Sequence, residues 1–144
     1  MRLKEILFGG AGGGSRLADV GLALLRVVAG VAMAVNHGAG KIQSPGRVIE
    51  GADDMGFPVP FFFGWMAIIA EFFGGILLAL GLATRPAAFL IACTMFTAAF
   101  VHHADDKFRE REPALLFLSV AVLYVLTGAG RYGVDALLRR KGKS

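Results

Sequence analysis

The sequence predicts an all-α integral membrane protein, an antiparallel bundle of four helices with a short interfacial helix in its first long loop. Three observations carry this. The 144 residues are 56% hydrophobic and only 18% charged, and a mean hydropathy of +0.63 is too apolar for an ordinary soluble domain. The apolar residues gather into four stretches of roughly membrane-spanning length, about 19–38, 61–82, 87–103 and 113–127. The second and third are joined by the short Gly81-Leu82-Ala83-Thr84-Arg85-Pro86, which demands antiparallel neighbours. The chain therefore divides into an arm (1–17), one membrane domain (18–138) and a basic tail (139–144).

The arm holds Arg2, Lys4, a short Ile6-Leu7-Phe8 patch and a run of glycines. The patch is too short for the apolar core of a signal peptide, so a flexible or interfacial arm is expected. In the first span Asp19 sits near the helix start, where a negative side chain suits the exposed N–H groups. Arg26, Gly30, Met33 and His37 share one helical face, which places the two ionisable groups on one side about 16 Å apart. The polar loop from Gly38 to Pro60 has an amphipathic middle, Gly46 to Met55, expected to lie on the membrane. Phe57, Phe61, Phe62, Phe63 and Trp65 form an aromatic belt where span two enters. In span two Gly64, Ile68, Glu71, Gly75 and Leu78 share a face, and small residues beside a charge let another helix approach it. Span four starts at Pro113, whose missing N–H suits a helix start.

Charge sets the expected orientation. Four spans put both termini on one side, where nine Lys and Arg residues collect against five in the opposite loops. The positive-inside rule then makes both termini cytoplasmic. The basic residues sit at the chain ends rather than on one amphipathic face, so the net charge of +4 argues for membrane orientation and against nucleic acid. Cys93 is the only cysteine, which excludes an internal disulfide and a cysteine-based metal cluster.

Two groups of side chains are candidates for chemistry. A charge at bilayer depth costs about 2.5–3.5 kcal/mol on insertion scales, so Glu71 in the middle of span two needs a partner, and Arg26 is the expected one. That pair is read either as a structural tie between helices one and two or as a group that handles protons or holds a polar ligand. The second group lies at the opposite membrane surface, where His37, His102 and His103 meet Lys41, Glu110 and Glu112. His37, His102 and Glu112 are candidates for proton transfer, and Arg26, Glu71 and Lys41 for contact with a bound cofactor. No single element carries a metal-ligand spacing, so a metal or haem would need ligands from three helices and no metal residues are assigned; interfacial histidines with ordinary hydrogen bonds are the alternative.

Leu25-Arg26, His37-Gly38-x-x-Lys41, Gly56-Phe57-Pro58, Glu71-x-x-Gly74-Gly75, Gly81-Leu82-x-Thr84-Arg85, His102, Glu112-x-Ala114-Leu115-Leu116 and Gly128-x-Gly130-Arg131-Tyr132-x-x-Asp135 follow one another across the spans. Taken together they resemble the DoxX family. The resemblance runs from Leu22 to Leu138 and implies a small four-helix membrane protein of the kind found in quinone-linked redox complexes. It brings no established set of catalytic residues. Two function classes are consistent with the chain. One is the membrane subunit of a redox system that reacts with quinone or another small redox partner and works with a partner protein. The other is a non-catalytic scaffold or small permeation pathway. The lipid bilayer is the common partner, and a homo-oligomer is compatible with both.

Overall fold

The computed structural model describes residues 15–141, so most of the expected arm and the last residues of the tail lie outside it. Six helices make up the described residues, and no strand forms among them: α1 (Arg16–Gln43), α2 (Pro45–Asp54), α3 (Pro60–Leu80), α4 (Thr84–His102), α5 (Phe108–Thr127) and α6 (Val134–Lys141). Of these, α1, α3 and α4 are long and apolar enough to cross a membrane. The fourth long helix, α5, opens with Arg109, Glu110, Arg111 and Glu112, and its apolar part begins at Pro113. The expectation of four spans is thus met by three helices on length and hydropathy.

Helix α1 does not end at Gly38 but continues to Gln43. Gly38 is there for proximity rather than as a breaker, because a Cβ on it would stand 2.5 Å from the Phe72 Cα. A Cβ on Gly30 would meet the Ala79 amide nitrogen at 2.5 Å, and one on Gly75 the Ala34 amide nitrogen at 2.8 Å. Antiparallel α1 and α3 therefore touch backbone to backbone, the packing that small residues permit where lipid offers no hydrophobic drive. Beyond this seam α4 packs on α3 and α5 on α4. Their core is Met33, Leu78, Ala88, Ile91, Met95, Ala99, Ala114, Ala121 and Tyr124.

The end of the fold that carries α6 is tied together by polar groups. Arg26, 2% exposed, donates from Nη1 to the carbonyls of Leu78 (3.1 Å) and Ala79 (3.2 Å), and from Nη2 to that of Tyr132 (3.2 Å). A guanidinium at the C-terminus of α3 meets both the unpaired carbonyls and the negative end of the helix dipole. The turn that follows brings Gly81 so close to this guanidinium that no side chain fits there, and its φ of +69° also favours glycine. Asp135, at the start of α6, accepts hydrogen bonds from the Ala83 amide (2.8 Å), the Thr84 amide (3.0 Å) and the Thr84 hydroxyl (2.8 Å). It thereby caps α4 from across the fold and holds Ala83 at φ +46°, an uncommon region for a residue with a Cβ. Tyr124 donates to the Leu22 carbonyl and joins α5 to α1.

Two further expectations change. The segment Pro45–Asp54 is helical, but it folds onto the first half of α3, with Ile49 against Gly64 and Ala52 buried. Pro113 lies inside α5 rather than at its start, because the helix begins at Phe108, where Glu110 suits the first turn. Arg111 donates to the Ala99 carbonyl at 3.0 Å and lies over the Phe100 ring, which ties this charged turn to the end of α4.

Asp135→Ala would leave the buried Thr84 amide and hydroxyl without acceptors. The expected loss is about 2–4 kcal/mol, read as a lower melting temperature in detergent. A variant within about 0.5 kcal/mol of the parent would show that this carboxylate does not hold the turn.

Candidate functional site

Three helices contain a widened π-helical segment: Met33–Gly38 in α1, Ile69–Phe73 in α3 and Ala98–His102 in α4. Each carries one of the residues singled out from the sequence, namely His37, Glu71 and His102. Such segments insert one residue into the helical register, re-aim the side chains that follow and recur at functional sites.

Glu71 is fully buried. Its partner is Lys41 rather than Arg26: Lys41 Nζ donates to Glu71 Oε1 at 2.5 Å, with the lysine side chain 36% exposed and the glutamate 0%. The extension of α1 past Gly38 makes this possible, because it carries Lys41 one turn beyond His37, onto the wide turn of α3. The expected Arg26–Glu71 pair does not form, because the Arg26 guanidinium is committed to the carbonyls at the far end of α3. Glu71 Oε2 is buried with no hydrogen-bond partner. An unpaired carboxylate oxygen at such a place is costly unless something supplies a donor.

Beside this pair α3 and α4, packed together near their connecting turn, separate toward the other end and leave a cavity of about 510 Å³. Its walls are mostly apolar, with Met66, Ala67 and Ala70 from α3 and Leu90 and Ala98 from α4. Helix α2 covers it with Val48 and Ala52, followed by Met55, and Phe57, Phe62 and Phe63 contribute aromatic surface. The polar groups are few: Lys41, Arg47, Glu71, Thr94, Thr97 and His102. Because Thr94 and His102 both line it from α4, the cavity extends at least about 12 Å along that helix. This size, with apolar walls and a few polar groups, suits a small amphiphilic ligand.

The residues expected to act together are therefore only partly assembled. Lys41, Glu71 and His102 line one cavity. His37 packs edge-on against Phe117 of α5, with ring centroids 5.3 Å apart, and Glu112 is exposed. Arg26 belongs to the network at the opposite end. His102 meets His103 edge to face, and the Nδ1 of His103 lies 2.7 Å from Asp106 Oδ2. Among the described residues no three His, Cys, Asp or Glu side chains come together as a metal-ligand set. Arg47, Thr94, Thr97 and Cys93, none of them a candidate site residue from the sequence, also line the cavity. A signal was present on α4, where Leu90, Thr94, Ala98 and His102 follow four-residue spacing along one face.

A sequence profile of the DoxX family matches residues 21–104, a stretch that contains Lys41, Glu71 and His102. The chain belongs to the DoxX family. This DoxX protein is 31% identical over 132 residues to "Inner membrane protein YqjF" of Escherichia coli (strain K12), with 88% of this chain and 98% of that one covered. It is 34% identical over 122 residues to a protein of Haemophilus influenzae that carries no functional name, covering 79% and 87% of the two chains. It is 31% identical over 126 residues to "Putative oxidoreductase CatD" of Bacillus subtilis (strain 168), covering 87% and 91%. No solved structure matches it. Family and helices together make this DoxX protein a membrane protein.

The pairing has a direct energetic test. A double-mutant cycle between Lys41→Met and Glu71→Gln should show coupling above about 1 kcal/mol, and one between Arg26→Leu and Glu71→Gln should be additive within about 0.5 kcal/mol. Strong coupling in the second cycle with none in the first would restore the Arg26–Glu71 pair.

Proposed function

We propose that this DoxX protein is the membrane subunit of a redox system and that its cavity holds the head of a membrane quinone. The observation that carries this reading is the buried Glu71 carboxylate, ion-paired on one oxygen and unpaired on the other, in the wall of an otherwise apolar cavity. A quinone and its quinol have an apolar body and polar oxygens on a compact ring, and between the two forms they match these walls and polar groups. The name of the Bacillus subtilis relative points in the same direction.

In this reading α5 is a fourth span from Pro113 onward, with Leu116, Val122 and Leu126 facing lipid, and the bundle sits in the inner membrane with both termini cytoplasmic. With a single cysteine the chain has no dithiol to cycle, so in this reading a partner protein exchanges two electrons with the quinone. Two protons accompany them to form the quinol, or leave when the quinol is oxidised. Glu71, Lys41 and His102 are the groups placed to pass those protons. His37 and Glu112 have no part in it, because neither lines the cavity.

Trp65 is the only tryptophan and sits on α3 between the cavity-lining Gly64 and Met66, so a quinone in the cavity should quench its fluorescence. Titration of purified protein with a fully ring-substituted, short-tailed benzoquinone should give saturable quenching. Lys41→Met and His102→Ala should weaken the affinity several-fold or more, and His37→Ala and Glu112→Ala should leave it unchanged. Quenching that never saturates, or a pattern in which His37→Ala is the damaging change, would remove the quinone reading and leave the scaffold one.

A further inference from the structure

We propose that the cavity selects the reduced, hydroxyl-bearing form of its ligand, a hydroquinone, over the corresponding quinone; this deepens the reading above and rests on it. The inference comes from counting donors and acceptors. Glu71 is a carboxylate paired with an ammonium, so its oxygens can only accept. Lys41 occupies Oε1, and Oε2 is buried without a partner. Thr94 adds a second acceptor: its hydroxyl donates to the Leu90 carbonyl at 3.1 Å, so only lone pairs are left for the cavity that it lines.

A ligand that reaches Oε2 meets a buried acceptor that has no donor, and a ligand able to donate there gains a hydrogen bond that one without a donor cannot make. The two redox forms differ in this respect. A quinone carries carbonyl oxygens, which accept and cannot donate. Its carbonyl can take a hydrogen bond from Lys41, Arg47 or His102 at the cavity wall, yet it brings a lone pair, not a proton, to Glu71 Oε2. A hydroquinone carries two O–H groups of nearly the same shape. One can donate to the carboxylate, a charge-assisted bond of the stronger kind, while its oxygen still accepts from Lys41. Sites built to bind a hydroxyl discriminate strongly against the analogue that lacks it, because the buried acceptor is then left unpaired.

The test is a series of three ligands measured by isothermal titration calorimetry on the detergent-solubilised full chain under nitrogen: the fully ring-substituted short-tailed benzoquinone, its hydroquinone, and the dimethyl ether of that hydroquinone. The hydroquinone should bind at least about tenfold more tightly than the quinone and the ether. In Glu71→Gln the amide supplies a donor of its own, so the preference for hydroquinone over quinone should collapse toward equality. Equal affinities for the three ligands, an ether as tight as the hydroquinone, or a preference unchanged in Glu71→Gln would overturn the inference and leave the cavity as a quinone site. Binding of none of the three would overturn the quinone reading as well. Should Glu71→Gln fail to fold, the ligand series on the unaltered protein decides alone.

Discussion

Three glycines let α1 and α3 lie backbone against backbone, and the position of every polar group that matters follows from that crossing. With Gly30 against Ala79, Gly75 against Ala34 and Gly38 against Phe72, neither helix can slide without a steric clash. The register so fixed puts Arg26 level with the last carbonyls of α3 and Lys41 level with Glu71. Two cations on one helix thus have different fates. Arg26 satisfies a helix end, and Lys41 neutralises a buried carboxylate. A glutamate on a helix that only skimmed α1 would have no cation within reach and would be costly at membrane depth.

The two ends of the molecule are built to opposite effect. At one end α6 returns across the turn between α3 and α4, and hydrogen bonds join Asp135, Thr84, Gly81, Arg26 and the Tyr132 carbonyl, with Arg26 Nε buried and unpaired. Hydrogen bonds between elements so far apart in sequence hold this turn in one geometry. At the other end α3 and α4 separate, helix α2 covers the gap, and one carboxylate oxygen is left with nothing to accept from. The closed end holds α3 and α4 together, so they can part elsewhere without loss of the fold. Close packing along the rest of α4, where Ala88, Ile91, Met95 and Ala99 meet α5, gives the cavity a firm wall.

What could be read from the sequence was whatever depends on composition and spacing. The apolar runs of α1, α3 and α4, the helical segment in the first loop and the singular position of Glu71 all follow from hydropathy and three-and-four periodicity. What could not be read depends on tertiary register. Gly38 looks like the end of a helix, yet it is a contact point on a longer one, and ending the helix there hid Lys41 as the partner of Glu71. The wide turns shift the register by one residue where His37, Glu71 and His102 lie. A face drawn with regular helical spacing therefore sends His37 toward the site, whereas it packs on Phe117. Asp135 closes the last of the ordered motifs, but its role as a cap for α4 could not be read from the sequence, because it depends on a contact about fifty residues away. An amphipathic pattern marks the helix in the first loop as interfacial without saying what its inner face covers, so Arg47 and the cover over the cavity could not be read from it.

The central claim is that the space beside Glu71 is a site for a redox-active lipid. The most direct measurement is solvent extraction of the protein purified in mild detergent, with the lipid-soluble quinones and quinols quantified per chain, for the parent and for Ala67→Phe, which fills the cavity without removing any polar group. The account predicts a near-stoichiometric quinone or quinol in the parent and its loss in the filled variant at unchanged yield and melting temperature. Equal amounts in both proteins, or none above the detergent background in the parent, would contradict it.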